Sequence, residues 1–182
     1  MINRVLTLFA PGLEEIEAVT SVDLLRRAEV EVTIAGVGTT QINGSHGITF
    51  EADTTLAEFH GEYDGIVLPG GMPGTTNLSE SEDVLTLIKR AYEAGKLCAA
   101  ICAAPLVFDV AGILGTHRYT CYPGVDEKIS GGTFAPEPVV RDKNVITSKG
   151  VGTAISFALE LIDFLKGPET AQQLKQAIVF ER

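Results

Sequence analysis

The sequence predicts a doubly wound α/β fold, a mostly parallel sheet sandwiched by helices in a single domain over residues 1–182. Three observations predict it. Short apolar runs alternate along the chain with longer stretches of helical periodicity. Asp64–Leu68 (DGIVL) and Leu97–Ile101 (LCAAI) are apolar at nearly every position, the pattern of strands covered on both faces. Of the 182 residues 45% are apolar and 21% charged, which supports one sizeable core without disulfides or metal staples.

Taken in order, Val5–Phe9 reads as a strand and Glu15 to Ala28 as a helix, with Val30–Ala35 alternating as a second strand. Weak strand signals surround Ile42 and Ile48–Phe50, with Gly44 and Gly47 marking turns. Asp64–Leu68 ends in Pro69-Gly70-Gly71. Ser79-Glu80-Ser81-Glu82 has the form of a capping box and predicts a helix to about Ala94. Leu97–Ile101 is a buried strand followed at once by a helical run from Ala103, and Val145–Thr147 is a late strand. Thr153 is expected to cap a helix ending at Gly167-Pro168, with a short helix after it. The segment from Thr116 to Lys143, rich in Gly and Pro, yields no placement. The apolar strands and the alternation together specify the flavodoxin-like variant, whose ligand site lies beyond the carboxyl ends of the strands.

Charge and cysteine usage exclude several function classes. Fourteen basic against 24 acidic residues leave a net charge of −10, the wrong sign for nucleic acid or an anionic membrane surface. Three cysteines without a CxxC pair suit neither a secreted disulfide framework nor a zinc site. The N-terminal stretch turns acidic within 14 residues, unlike a signal peptide, and the apolar stretch Leu97 to Leu114 is broken by Pro105, Asp109 and Gly112. The expectation is a cytoplasmic protein with no membrane span, no metal and no cofactor.

Four strand ends carry the residues with chemistry: Glu14, Glu15 and Glu17; Gly70-Gly71; Cys102; and Gly150-Val151-Gly152. Cys102, wedged between strand and helix among Ala99, Ala100, Ala103 and Ala104, suits a tight elbow that exposes the thiol. The positive end of the helix behind it is expected to lower the thiol pKa; a small buried hydrophobe is the other reading of a free cysteine. Any one of the three glutamates could turn inward beside the thiol with a raised pKa, whereas acids at a helix start are ordinarily solvated. Paired glycines leave backbone N–H groups free to face an oxyanion. Gly150-x-Gly152 lacks the third glycine of a dinucleotide fingerprint, and no P-loop is present. His46, His60 and His117 stand beside no strand end and read as surface or structural residues. Cys98 reads as core, and Cys121 as structural rather than as a resolving thiol.

APGLEEIEAVTSVDLLRRA, YDGIVLPGGMPGTTNLSES, AAICAAP and ITSKGVGTAISFAL together resemble the ThiJ/PfpI superfamily, in the branch of the parkinsonism-associated deglycase and its bacterial relatives, from Val5 to about Val179. The resemblance implies that Glu17 is the acid beside a reactive, easily oxidised Cys102. It implies an oxyanion pocket from the amides of Gly71 and Ala103, and a homodimer with the helix around Glu15 to Arg27 in its interface. It implies a glutathione-independent glyoxalase or protein deglycase acting on methylglyoxal, or on the adducts it forms with proteins. The alternative is a peroxide-responsive redox sensor or chaperone using the same cysteine, with a cysteine hydrolase ranked last. The chain departs from the family at Tyr122, where many relatives have histidine, at Ala103, where the protease-like branch has histidine, and at Val151, where the family has proline. His46 replaces an arginine near the pocket mouth, which is expected to weaken anion binding there.

Overall fold

The computed structural model describes residues 3–181. In chain order it contains β1 (Arg4–Phe9), α1 (Glu15–Arg27), β2 (Glu31–Gly36), β3 (Gln41–Asn43), β4 (Thr49–Glu51), β5 (Thr54–Thr55) and β6 (Gly65–Leu68). There follow α2 (Gly74–Ser79), α3 (Glu82–Glu93), β7 (Leu97–Ile101), α4 (Pro105–Val110), β8 (Arg118–Tyr119) and β9 (Thr133–Phe134). The chain closes with β10 (Val139–Asp142), β11 (Val145–Ser148), α5 (Ala154–Lys166) and α6 (Pro168–Ala177).

Seven strands form one sheet in the order β10-β11-β7-β6-β1-β2-β5. All neighbours are parallel except β10 and β11, which form an antiparallel edge. The central order β2-β1-β6-β7-β11 is that of flavodoxin-like proteins, whose ligands sit where the winding reverses, here between β1 and β6. Period-two alternation sorts the core into two layers. Val5 and Phe9 of β1 and Leu97, Ala99 and Ile101 of β7 pack on Ala18, Val22 and Leu25 of α1 and Phe157 and Leu161 of α5. Leu6, Leu8, Cys98 and Ala100 face the other way, onto Leu78, Val84, Ile88 and Phe108 from α2, α3 and α4. Each sheet face is covered, which is why these strands are apolar throughout.

Every strand expected from the sequence is present, but several local expectations need correction. Ser79 does not open a helix; it ends α2, and its hydroxyl donates to Thr76 O at 2.9 Å. The capping residue is Ser81, whose Oγ accepts from Val84 N at 3.4 Å, because α2 and α3 meet there with Glu80 and Ser81 as the only residues between them. The helix behind Cys102 starts at Pro105 rather than Ala103 and is only 6 residues long. Thr153 immediately precedes α5 without a side-chain cap; its hydroxyl instead donates to Gly150 O at 2.9 Å, within a single 3-10 turn. The unplaced segment holds β8, β9 and β10, strands of two to four residues that are too short to leave a periodicity.

Candidate active site

Glu17, Gly70, Gly71, Cys102, Tyr122 and Gly150 converge at the carboxyl end of the sheet. Cys102 follows β7 with φ 66°, a left-handed conformation that few non-glycine residues adopt. Two bonds lock this elbow: Cys102 N donates to Ser148 O at 2.9 Å, and Tyr122 N donates to Cys102 O at 2.8 Å. The strain is thus held by the ends of β11 and of the segment after β8. The neighbouring backbone must also come close. A Cβ at Gly70 would lie 2.6 Å from Cys102 Cβ, so only glycine fits.

Glu17 lies in the first turns of α1 and is wholly buried. Gly70 N donates to its Oε2 at 2.9 Å. Its Oε1 is buried with no nitrogen or oxygen partner, and the side chain it meets is the Cys102 thiol. Burial pushes the Glu17 carboxyl up to about 7, against the hydrogen bonds from Cys102 and Gly70. The Cys102 thiol does not show the lowered pKa expected of it. Burial first, then the charge and hydrogen bond of Glu17, push it up to about 12, while the amides of Ala103 and Gly71 pull the other way. A six-residue helix three positions away does not offset burial. Both Glu17 contributions require an ionised carboxylate. When Glu17 holds the proton they vanish, and the carboxyl can donate to the sulfur. The Ala103 and Gly71 amides favour negative charge at Sγ.

The other glutamates are not solvated as expected. Glu14 is 9% exposed and Glu15 is 4% exposed. Glu14 is the N-cap of α1, its Oε2 accepting from Glu17 N at 2.8 Å, which aims Glu17 inward. Against the cost of burial, hydrogen bonds from the His46 side chain and backbone hold Glu15 down to about 2. The His46 Nδ1 lies 2.9 Å from Glu15 Oε2, and its amide donates to Oε1 at 2.6 Å. His46 is thereby committed to the turn between β3 and β4. Glu14, Glu15 and His46 bring their ligand atoms within 4.8 Å of one another, a proximity that sequence spacing did not reveal. Glu14 Oε2 and both Glu15 oxygens already accept hydrogen bonds.

Around the thiol, the point where a Gly150 Cβ would stand is 3.7 Å from Cys102 Sγ, 3.7 Å from Glu17 Oε1 and 3.5 Å from Tyr122 Cδ2. Glycine leaves a methyl-sized space bounded by thiol, carboxyl and ring. Val151 follows on a half-exposed turn, 41% exposed. No histidine is hydrogen-bonded to this constellation among the described residues. His117 is buried, with Nε2 2.8 Å from Tyr92 Oη and Nδ1 3.3 Å from Asp142 Oδ2. Cys121 packs in the layer opposite to Cys102, with Tyr119 and Val145. The sequence did not reveal the capping role of Glu14; the signal available was an acid three residues before Glu17.

A flavodoxin-like sheet with a thiol on a strained elbow, a buried glutamate beside it and the amides of Gly71 and Ala103 at the sulfur defines a cysteine-centred site of one structural class. The model of the DJ-1/PfpI family matches residues 3–164, and the chain belongs to that family. It is 38% identical to the Parkinson disease protein 7 homolog of Danio rerio over 98% of both chains. It is 37% identical to the glutathione-independent glyoxalase DJR-1.2 of Caenorhabditis elegans, over 88% of this chain and 87% of that protein. The crystal structure of Drosophila melanogaster DJ-1beta superposes with a TM-score of 0.97 at 35% identity, covering all of both chains.

Proposed function

We propose that this chain is a glutathione-independent glyoxalase that converts 2-oxoaldehydes such as methylglyoxal to 2-hydroxy acids, and that it acts as a protein deglycase on early adducts of the same aldehydes. The observation that carries the reading is the convergence of the Cys102 thiol, the Glu17 carboxyl with its pKa near 7, and the amides of Gly71 and Ala103. A nucleophile, a proton carrier matched to neutral pH and oxyanion donors are what the reaction requires. The glyoxalase among the relatives supports the same reading.

In the proposed sequence Sγ adds to the aldehyde carbon, and its proton passes through Glu17 to the new hydroxyl oxygen. Gly71 and Ala103 N–H groups receive the charge that develops there. The Glu17 carboxylate then removes the hydrogen of that carbon as a proton and returns it to the neighbouring carbon. The hydroxyl proton moves to the second oxygen. The enediol intermediate becomes a thioester of the 2-hydroxy acid, and water hydrolyses it and frees the thiol. Water is consumed and no net oxidation occurs. We further propose that the chain works as a homodimer in the cytoplasm, with the α1 face in the interface.

The test is lactate formation from methylglyoxal, followed by NMR without added glutathione. Reduced wild type should turn over many times. Glu17→Gln should lose roughly a hundredfold or more, the scale of general acid–base catalysis, and Cys102→Ala should form no lactate. Formation of at most one adduct per chain would overturn the reading. A second reading, a peroxide sensor, draws on the same geometry, since a protonated Glu17 and two amides would equally hold an oxidised sulfur. It predicts peroxide-dependent addition of oxygen to Cys102, visible by mass spectrometry and reduced in Glu17→Gln.

A further inference from the structure

We propose that Tyr122 sets the substrate preference of this site, favouring 2-oxoaldehydes whose substituent is neutral and aromatic. The inference rests on the glyoxalase reading above and names the class of substrate within it. A 2-oxoaldehyde bonded to Sγ has its first carbon at the sulfur, with the attached oxygen toward the Gly71 and Ala103 amides. Its second carbon must come within reach of Glu17. One way out for the substituent on that carbon is the space that Gly150 leaves open. That space touches Sγ, Glu17 Oε1 and the Tyr122 ring edge together, at 3.7, 3.7 and 3.5 Å from a notional Gly150 Cβ. A substituent leaving that way passes along the Tyr122 ring.

Three further observations make that ring a recognition surface. Tyr122 is 54% exposed, so its aromatic side chain is accessible to a ligand. Its backbone is pinned to the elbow by the bond from Tyr122 N to Cys102 O, which keeps the residue beside the thiol. The charges at the start of α1 are of the wrong sign for an anionic substituent. Glu14 is near enough to raise the Glu17 pKa, Glu15 is held down to about 2, and His46 is committed to Glu15. An anionic group brought near the start of α1 would face two acids whose neighbouring cation, His46, is already bonded to Glu15.

The experiment compares kcat/KM for phenylglyoxal and for methylglyoxal, read as mandelate and lactate, in wild type, Tyr122→Phe and Tyr122→Ala. Using the ratio of the two substrates across variants cancels the greater intrinsic reactivity of phenylglyoxal. Tyr122→Ala should lower the phenylglyoxal-to-methylglyoxal ratio by about tenfold, within the range over which apolar pocket contacts discriminate. Tyr122→Phe, which keeps the ring and loses the hydroxyl, should keep the wild-type ratio. A Tyr122→Ala ratio within about twofold of wild type, with methylglyoxal still converted, would overturn this inference and leave the glyoxalase reading standing. Failure of wild type to convert either substrate would overturn both.

Discussion

Glu17 carries the pH behaviour of the site in one buried carboxyl. Its ordinary value is 4.5 and in the fold it is raised to about 7, chiefly by burial. The folded chain therefore holds this proton more tightly than the unfolded chain. The stability so gained is complete below the unfolded pKa and is lost as pH rises through the folded one. Glu17→Gln has no proton to lose. Its melting temperature relative to wild type should rise between about pH 5 and about pH 8, and calorimetry at the two values checks it. A difference that does not move with pH would show that Glu17 is not the buried titrating group. The same residue shows why one position among three glutamates matters. Glu14 spends its carboxylate on Glu17 N, Glu15 spends its own on His46, and Glu17 is left facing the thiol.

At the scale of the element, the junction of α2 and α3 illustrates how a motif can be right in kind and displaced in place. A Ser-x-x-Glu pattern announces a helix start, and a helix does start at Glu82. The cap is two residues later than the pattern says, because Leu78 of α2 is buried in the sheet layer and carries Ser79 into α2. Ser81→Ala should therefore destabilise the fold by about 0.5 kcal/mol, given the long 3.4 Å cap bond. That corresponds to about 1–2 °C in melting temperature for a chain of this size. Ser79→Ala removes only a bond to a carbonyl at the end of α2 and should shift it less. Equal shifts for the two variants would return the cap to Ser79. The elbow after β7 is the second such case, since the strand ends where expected and α4 begins later than expected.

For the whole molecule, α1 has two apolar faces. Ala18, Val22 and Leu25 are buried against the sheet, while Ile16 is 54% and Val19 47% exposed. Val19 shares a groove with Ile155 of α5, which is 37% exposed. Neighbouring exposed apolar residues on packed helices suit a two-fold interface, in keeping with the proposed homodimer. Wild type should sediment at twice the chain mass, and Val19→Glu should shift the population to monomer. A wild type that is monomeric at high concentration would overturn the dimer. No helix among the described residues is long and apolar enough to cross a membrane.

Strand positions, the parallel sheet and the placement of four chemistry-bearing loops at one edge were legible in the sequence. Burial on both faces forces continuous apolar runs such as Ile66–Leu68 and Leu97–Ile101, and the fold's handed connections bring their ends together. Cys102 was legible for the same reason, as the residue wedged among alanines between an apolar strand and a helical run. The choice among Glu14, Glu15 and Glu17 lay outside local pattern, because all three occur in one turn and only contacts from Gly70, His46 and Cys102 separate them. The direction of the Cys102 shift also needed the tertiary structure. A helix end visible in sequence argues for a lower pKa, but burial and a carboxyl 85 positions away in sequence, neither visible locally, outweigh it. Local sequence determines which elements form and where their ends point; the desolvation and pairing of a charge depend on groups distant in the chain, and only the packed fold decides them.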